Sequence, residues 1–378
     1  MFPKTHRNDL LISPDRILKS LSDGVYVCDR ERRITYWSAS AERITGWAPE
    51  DVVGRKCLED VLCHIDKDGH RLCGEEYCPL HRSMITGSVT QVPVIVFAQA
   101  KDGRRIPMQV TTAPILDSDG KIIGGVETFR DVSPMLIDLQ RARKIQQRIL
   151  ALTLPGDPRL TVTAHLVPQD IVGGDYYAIR ALDRDRYGFM VADMEGHGVA
   201  AALYTMQLNI LWERFLALLT KPAEFAAAVN AELVKVFGGD VSFATAVCGL
   251  IDASNGALWL TSAGGPPPLI ARRSGRIKRI EVAGLPLGVI EEATYGVQGT
   301  RLEAGDGVLL FSDGAFEIDN AAGEILGVDG LIGLLQEMDY PRTPLSIPAL
   351  EERLLKFSNA IRISDDVTIV EIRYMGSD

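Results

Sequence analysis

The sequence has no long apolar run. Val92–Ala98 is interrupted by Pro93, and Leu208–Leu219 by Asn209, Glu213 and Arg214, so neither stretch is expected to cross a bilayer. The opening MFPKTHRNDLLISPD contains no apolar h-region, and no secretory signal is expected there. Positive charge is in deficit, 40 Lys and Arg against 50 Asp and Glu, which argues against a bulk electrostatic grip on nucleic acid or anionic lipid. Six cysteines in 378 residues are too few for a disulfide scaffold. No period of roughly 20–50 residues recurs, which excludes solenoids and propellers. What remains, 46% hydrophobic and 24% charged residues, is ordinary globular composition, and the length suits two or three domains. The expectation is a soluble, cytoplasmic, multidomain protein with neither nucleic acid nor membrane as partner.

The pattern divides the chain in three. Over residues 14–133, VYVCDRERRITYW alternates as a hairpin does, SASAERITGWAPEDVVG reads as short helices with glycine stops, and VPVIVFAQA, RIPMQVTTAPIL and KIIGGVETFRDV read as strands. Lys101-Asp102-Gly103 and Asp117-Ser118-Asp119-Gly120 mark the turns between them. This predicts a five-stranded antiparallel sheet with helices on one face. The segments SDGVYVCDRERRITYWSASAERITGW, EDVVGRKC and KDGRRIPMQVTTAPILDSDGKIIGGVETFRDVS resemble a PAS sensor domain, with Ser38 where many PAS domains have Asn. Residues 134–153 carry a helical stripe of Met135, Leu139, Ala142, Ile145, Ile149 and Leu152, with charges on the other face. That helix is either a connector packed on a neighbouring domain or a seam between two copies of the chain. Pro155-Gly156-Asp157-Pro158 then opens a third unit, residues 155–374, of many strands with two long helical stretches inserted midway.

In that third unit aspartates sit at strand ends: Asp175 in VGGDYY, Asp193 in FMVADMEGHG, Asp313 in VLLFSDG, and Asp365 and Asp366 in SDDVTIVEI. Each alone also fits turn or helix-cap chemistry. Converging together, they would repel one another unless cations balanced them, and hard oxygen donors suit Mg²⁺ or Mn²⁺. The ordered series VGGDYYAIR, VADMEGHGVAAAL, FATAVCGLID, TSAGGPPPLI, GLPLGV, GDGVLLFSDGAFEIDNAAGEILG and SDDVTIVEIR, with RKIQQRILALTLP upstream, resembles the SpoIIE-type (RsbU-type) branch of the metal-dependent PPM protein phosphatases. The fold implied is α+β throughout: a PAS domain, a helical linker and a C-terminal αββα phosphatase sandwich. The chemistry implied is hydrolysis of phosphoserine or phosphothreonine with two Mn²⁺ or Mg²⁺ ions, water attacking phosphorus and no phosphoenzyme forming.

Carried over by motif, the resemblance gives Asp193 as the ligand shared by both metals. Met194 contributes its backbone carbonyl, Asp313 and Asp365 are further ligands, and Asp175 holds the second metal through water. Asp366 stands where relatives often have Asn and supports the ligands. The catalytic set is thus Asp193, Asp313 and Asp365. Two departures stand out. The usual Ala-Gly-His reads Ala263-Gly264-Gly265, and the basic phosphate clamp of eukaryotic relatives has no counterpart. His197 is an exposed loop residue before it is a general acid. Gly173-Gly174-Asp175-Tyr176-Tyr177 is similar to the hairpin motif of diguanylate cyclases but lacks its final Glu-Phe. The implied substrate is a phosphorylated anti-sigma-factor antagonist of the STAS type, met by a homodimer formed through the PAS domain and linker. The alternative is a catalytically inactive scaffold that keeps the phosphatase fold.

Cysteine, otherwise sparse, concentrates in CLEDVLCHIDKDGHRLCGEEYCPLHR. That density of thiol and imidazole suits zinc or iron. The run resembles a cysteine-bearing subset of bacterial PAS domains, which implies Cys57, His64, Cys73 and Cys78 as ligands with Cys63 spare. A redox-labile dithiol and plain reduced cysteines remain the alternatives.

Overall fold

The computed structural model describes residues 14–59, 61–66, 69–74, 77–89, 94–150, 156–196, 198–238, 242–359 and 365–376. The chain divides into two compact units, residues 1–138 and 139–378. No helix among the described residues is long and apolar enough to cross a membrane.

The first unit runs α1 (Pro14–Ser20), β1 (Gly24–Asp29), β2 (Ile34–Trp37), α2 (Ala39–Thr45), α3 (Pro49–Val52), α4 (Pro79–Thr86), β3 (Val94–Gln99), β4 (Arg105–Leu116) and β5 (Ile122–Asp131). The strands form one antiparallel sheet in the order β2-β1-β5-β4-β3, as the alternation predicts. The turns fall on the expected residues: Gly103 and Gly120 both have positive φ, and Asp117 Oδ1 accepts from the amides of Asp119 and Lys121. Ser38 does the work of a cap, accepting from the amides of Ala41 and Val25 at the start of α2. Tyr26, Trp37, Leu80, Met108 and Phe129 fill the core between sheet and helices.

α5 (Ser133–Ile149) follows, and the boundary between the units falls inside it. Its stripe is exposed in the single chain: Met135, Ile145 and Ile149 face solvent, and the buried side chain of this helix is Gln146. The last residues of the expected linker, 151–153, lie outside the described residues.

The second unit runs β6 (Leu160–Val167), β7 (Asp175–Ala181), β8 (Arg186–Met194), α6 (Val199–Phe215), α7 (Pro222–Phe237), β9 (Ala244–Asp252), β10 (Ala257–Ala263), β11 (Leu269–Ala271), β12 (Ile277–Arg279), β13 (Gln298–Arg301), β14 (Gly307–Phe311), α8 (Gly327–Glu337), α9 (Ile347–Ser358) and β15 (Val367–Tyr374). Two five-stranded sheets form, ordered β13-β10-β9-β8-β7 and β12-β11-β14-β15-β6. Three apolar layers hold them. Phe189, Ile251, Leu258, Val308 and Ile372 lie between the sheets, Trp212, Phe225 and Leu233 seat α6 and α7 on the first sheet, and Leu331, Leu335 and Leu350 seat α8 and α9 on the second. The central strands are near-continuous apolar runs because both faces of each sheet are covered, β14 and β15 being buried almost throughout.

Candidate metal centre

The sandwich brings four strand ends to one edge. β8 ends on Asp193–Met194 and β7 begins on Asp175, and antiparallel register sets Asp175 directly opposite Asp193. On the other sheet β14 ends at Phe311, so Ser312 and Asp313 follow at the rim, while Asp365 and Asp366 immediately precede β15. The two sheets are tied here through one carboxylate: Ser312 Oγ donates to Asp175 Oδ2 at 2.8 Å and Thr368 Oγ1 donates to the same oxygen at 2.6 Å. The other oxygen, Asp175 Oδ1, is buried without a partner. An orphan of that kind ordinarily costs about 1–3 kcal/mol and asks for a ligand.

Asp366 faces inward and is 4% exposed. It accepts from the amides of Gln169 at 2.6 Å and Gly174 at 2.5 Å, so it shapes the loop that delivers Asp175. Side chains at the glycines of that loop would crowd the acidic residues behind it. A Cβ on Gly173 would lie 2.6 Å from Asp366 Oδ2, and one on Gly174 would lie 3.0 Å from the Met194 carbonyl oxygen. Asp365 is exposed, and its Oδ1 accepts from the Asp366 amide.

The electrostatics are those of crowded like charge. Burial first, then the charges of Asp175, Asp313, Asp365 and Asp366, hold Asp193 well above the usual carboxylate range. Burial also raises Asp175, against the pull of the Thr368 hydroxyl. Asp313 is pushed up to about 6 by burial, Asp365 and Glu317. The charges acting most strongly on Asp193 are thus all aspartates, with no basic group among them. Among the described residues no three Asp, Glu, His or Cys side chains close around a point as a finished cation cage. The hard, like-charged donor set and the unpartnered Asp175 oxygen nevertheless fit divalent cations.

The structure therefore gathers Asp175, Asp193, Met194, Asp313, Asp365 and Asp366 at one edge. His197 lies outside the described residues. Gly265, the departure from Ala-Gly-His, is enforced sterically, since a Cβ there would lie 2.8 Å from the carbonyl carbon and oxygen of Ala246. Three polar residues of this region were not singled out from sequence. Ser312 and Thr368 sit inside the quoted FSDG and DDVT motifs. Gln146 on α5 reaches Gly173, its Nε2 donating to the Gly173 carbonyl at 2.8 Å and to Thr205 Oγ1 at 3.0 Å. A polar residue one step off the apolar stripe was its only signal.

In the first unit, Cys57, His64 and Cys78 are buried in the core and Cys73 is half-buried, its sulfur accepting the His64 amide at 3.1 Å. Cys63 is half-buried, with positive φ. These four expected ligands are not gathered around an ion-sized point either.

Comparison with known proteins agrees with both folds. The PAS fold model matches residues 18–134, and the model of Stage II sporulation protein E (SpoIIE) matches residues 183–375. Phosphoserine phosphatase RsbP of Bacillus subtilis (strain 168) is 26% identical over 221 residues, covering 58% of this chain and 52% of its own length. Phosphoserine phosphatase RsbU of the same organism is 22% identical over 306 residues, covering 80% and 88%. This chain thus spans about half of RsbP but most of RsbU. Among solved structures, the SiaA-PP2C domain of Pseudomonas aeruginosa superposes with a TM-score of 0.55 at 24% identity, over 64% of this chain and 97% of that one, and so shares the fold. With the family model covering residues 183–375, just over half of the chain, and a PAS fold matched over residues 18–134, this protein belongs to the SpoIIE family.

Proposed function

We propose that this chain is a metal-dependent phosphoserine/phosphothreonine protein phosphatase controlled by its PAS unit. The observation that carries the reading is the aspartate cluster at the sheet edge, with the fully buried Asp175 Oδ1 left without a partner. Asp193 would be shared by two Mn²⁺ or Mg²⁺ ions, with the Met194 carbonyl, Asp313 and Asp365 as further ligands and Asp175 acting through water. Ions held there supply charge neutralisation at the phosphoryl group and activation of water. The chain's own part is positional. Ser312 and Thr368 fix the Asp175 carboxylate, and Asp366 fixes the loop behind it through the amides of Gln169 and Gly174.

The substrate proposed is a phosphorylated STAS-type anti-sigma-factor antagonist in a partner-switching pathway. The names of RsbP and RsbU, each a phosphoserine phosphatase, support phosphoserine as the group removed. The exposed stripe Met135, Ile145 and Ile149 supports a homodimer formed through the PAS unit and α5. The full chain should hydrolyse para-nitrophenyl phosphate and a phosphoserine-bearing STAS protein only with Mn²⁺ or Mg²⁺ present. Hydrolysis of neither, by folded protein with excess metal, would favour an inactive scaffold.

A further inference from the structure

On its first-sheet side the acidic edge is bordered by apolar side chains that the core does not use. β9 begins at this edge, with Ala244 opposite Met194. The loop after β12 is laid beside it by two backbone hydrogen bonds exchanged between Ala244 and Leu287, at 3.0 and 2.8 Å. Asn230, fully buried on α7, fixes the residues that follow: its Oδ1 accepts the Gly288 amide at 2.8 Å and its Nδ2 donates to the Ile290 carbonyl at 2.7 Å. Gly288 lies against the ring of Phe237 at the end of α7, and that ring meets Tyr204 of α6 edge to face. Despite this anchoring, the side chains of Leu285, Val289 and Ile290 are each about half exposed. Leu203 and Val236, the chain neighbours of the two stacked rings, are exposed as well. Apolar residues scattered singly over a surface need no explanation, but an anchored loop that presents three of them beside a candidate active edge does.

The second-sheet side is of opposite character. A hairpin follows Asp313 directly. The Leu326 amide donates to the Ile318 carbonyl and the Gly327 amide to the Phe316 carbonyl, both at 2.9 Å, which closes it. The amides of Phe316 and Glu317 donate to the Asp313 carbonyl, which ties the hairpin to the edge. From Ser312 to Leu326 the sequence has four acidic residues and no Lys or Arg. One of the four is Asp313, and the other three, Glu317, Asp319 and Glu324, are exposed. Cations at the edge would offset the aspartates that bind them and would leave the charge of these three in place.

We propose that these two banks form the docking surface for the protein substrate, an inference that rests on the phosphatase reading above. Leu285, Val289 and Ile290 receive an apolar face of the partner, and Glu317, Asp319 and Glu324 receive Lys or Arg side chains beside its phosphoserine. A phosphoserine brings negative charge to an acidic rim. Basic neighbours on the same partner offset that repulsion and fix which way round it docks. The apolar bank adds affinity that salt does not screen. The occupant is a substrate and not a second copy of this chain, because the banks flank the edge that a phosphoryl group has to enter and a copy seated there would close it.

The test uses the full chain with excess Mn²⁺ and three probes. One is para-nitrophenyl phosphate. The others are two phosphoserine peptides with the same apolar run on one side of the phosphoserine and either Lys-Arg or Glu-Asp on the other. The readout is kcat/KM for a peptide divided by kcat/KM for para-nitrophenyl phosphate, a ratio in which a change at the metals cancels. The wild-type chain should prefer the basic peptide at least ~10-fold, and less so at high salt. Asp319→Asn/Glu324→Gln keeps the hydrogen-bonding groups of the hairpin and should cut that preference at least ~3-fold. Val289→Ser/Ile290→Ser should lower the ratio for both peptides at least ~10-fold, the scale of two apolar side chains lost from a contact. Equal turnover of the two peptides by the wild-type chain, or an unchanged ratio in either variant, would overturn the proposal. A shift from dimer to monomer in Val289→Ser/Ile290→Ser with the ratio unchanged would give the apolar bank to a second copy instead. Hydrolysis of none of the three probes by folded wild-type chain would sink the phosphatase reading itself, and the docking surface with it.

Discussion

At the scale of single residues, the site is built from side chains that are unfavourable on their own. Asp193 and Asp313 are held above the normal carboxylate range by burial and by neighbouring carboxylates, so the metal-free protein bears a cost at each. Asp193→Asn or Asp313→Asn removes a proposed metal ligand and also removes repulsion. Turnover should fall at least ~100-fold in a Mn²⁺-dependent assay, while the melting temperature of the metal-free chain should hold or rise. Loss of activity with a large loss of stability would instead make these aspartates structural. The aspartates were legible in sequence because each ends a hydrophobic run beside glycine. The hydroxyls that hold Asp175 were not, because Ser312 and Thr368 have common residue types and act across 137 and 193 residues of chain.

At the scale of elements, α5 departs most from its pattern. The apolar stripe predicts a buried face, yet the residue the helix buries in the second unit is Gln146, which contacts the loop carrying Asp175. Gln146→Ala leaves the Gly173 carbonyl and the Thr205 hydroxyl short of a donor, a loss on the order of 1–3 kcal/mol if no water enters. The expected result is a lower kcat and a higher Mn²⁺ requirement, because the loop rather than the aspartates is loosened. An unchanged Mn²⁺ requirement would mean that Gln146 anchors the helix without touching the metal centre. The stripe itself gives a separate test. Ile145→Ser/Ile149→Ser should leave the chain folded and shift it to monomer in sedimentation, and a dimer of undiminished strength would assign the seam elsewhere. α8 went unread for another reason. Gly327, Gly330 and Gly333 weaken its helical signal, and packing of Leu331 and Leu335 on β14 and β15 supplies what propensity does not.

At the scale of the whole molecule, the acidic edge should make stability depend on pH and, on the proposed reading, on metal as well. Asp193 and Asp313 have folded-state values above the ~3.9 of an unfolded aspartate. Between those limits the native state binds more protons than the unfolded chain, so stability falls as pH rises. The fall begins near pH 4, passes through about 6 for Asp313 and continues higher for Asp193. A cation bound to the ionised aspartates reverses the sign, because it competes with the protons and favours the charged form. Metal at a hundred times its dissociation constant adds about 2.7 kcal/mol to the state that binds it. The metal-free chain should therefore melt at a lower temperature at pH 8 than at pH 6. The rise in melting temperature with Mn²⁺ should be larger at pH 8, and both differences should shrink in Asp193→Asn. Differential scanning calorimetry of the full chain at the two pH values, with and without Mn²⁺, measures this directly. A Mn²⁺ effect equal at both pH values would show that the cation does not bind through the aspartates whose protons it must displace.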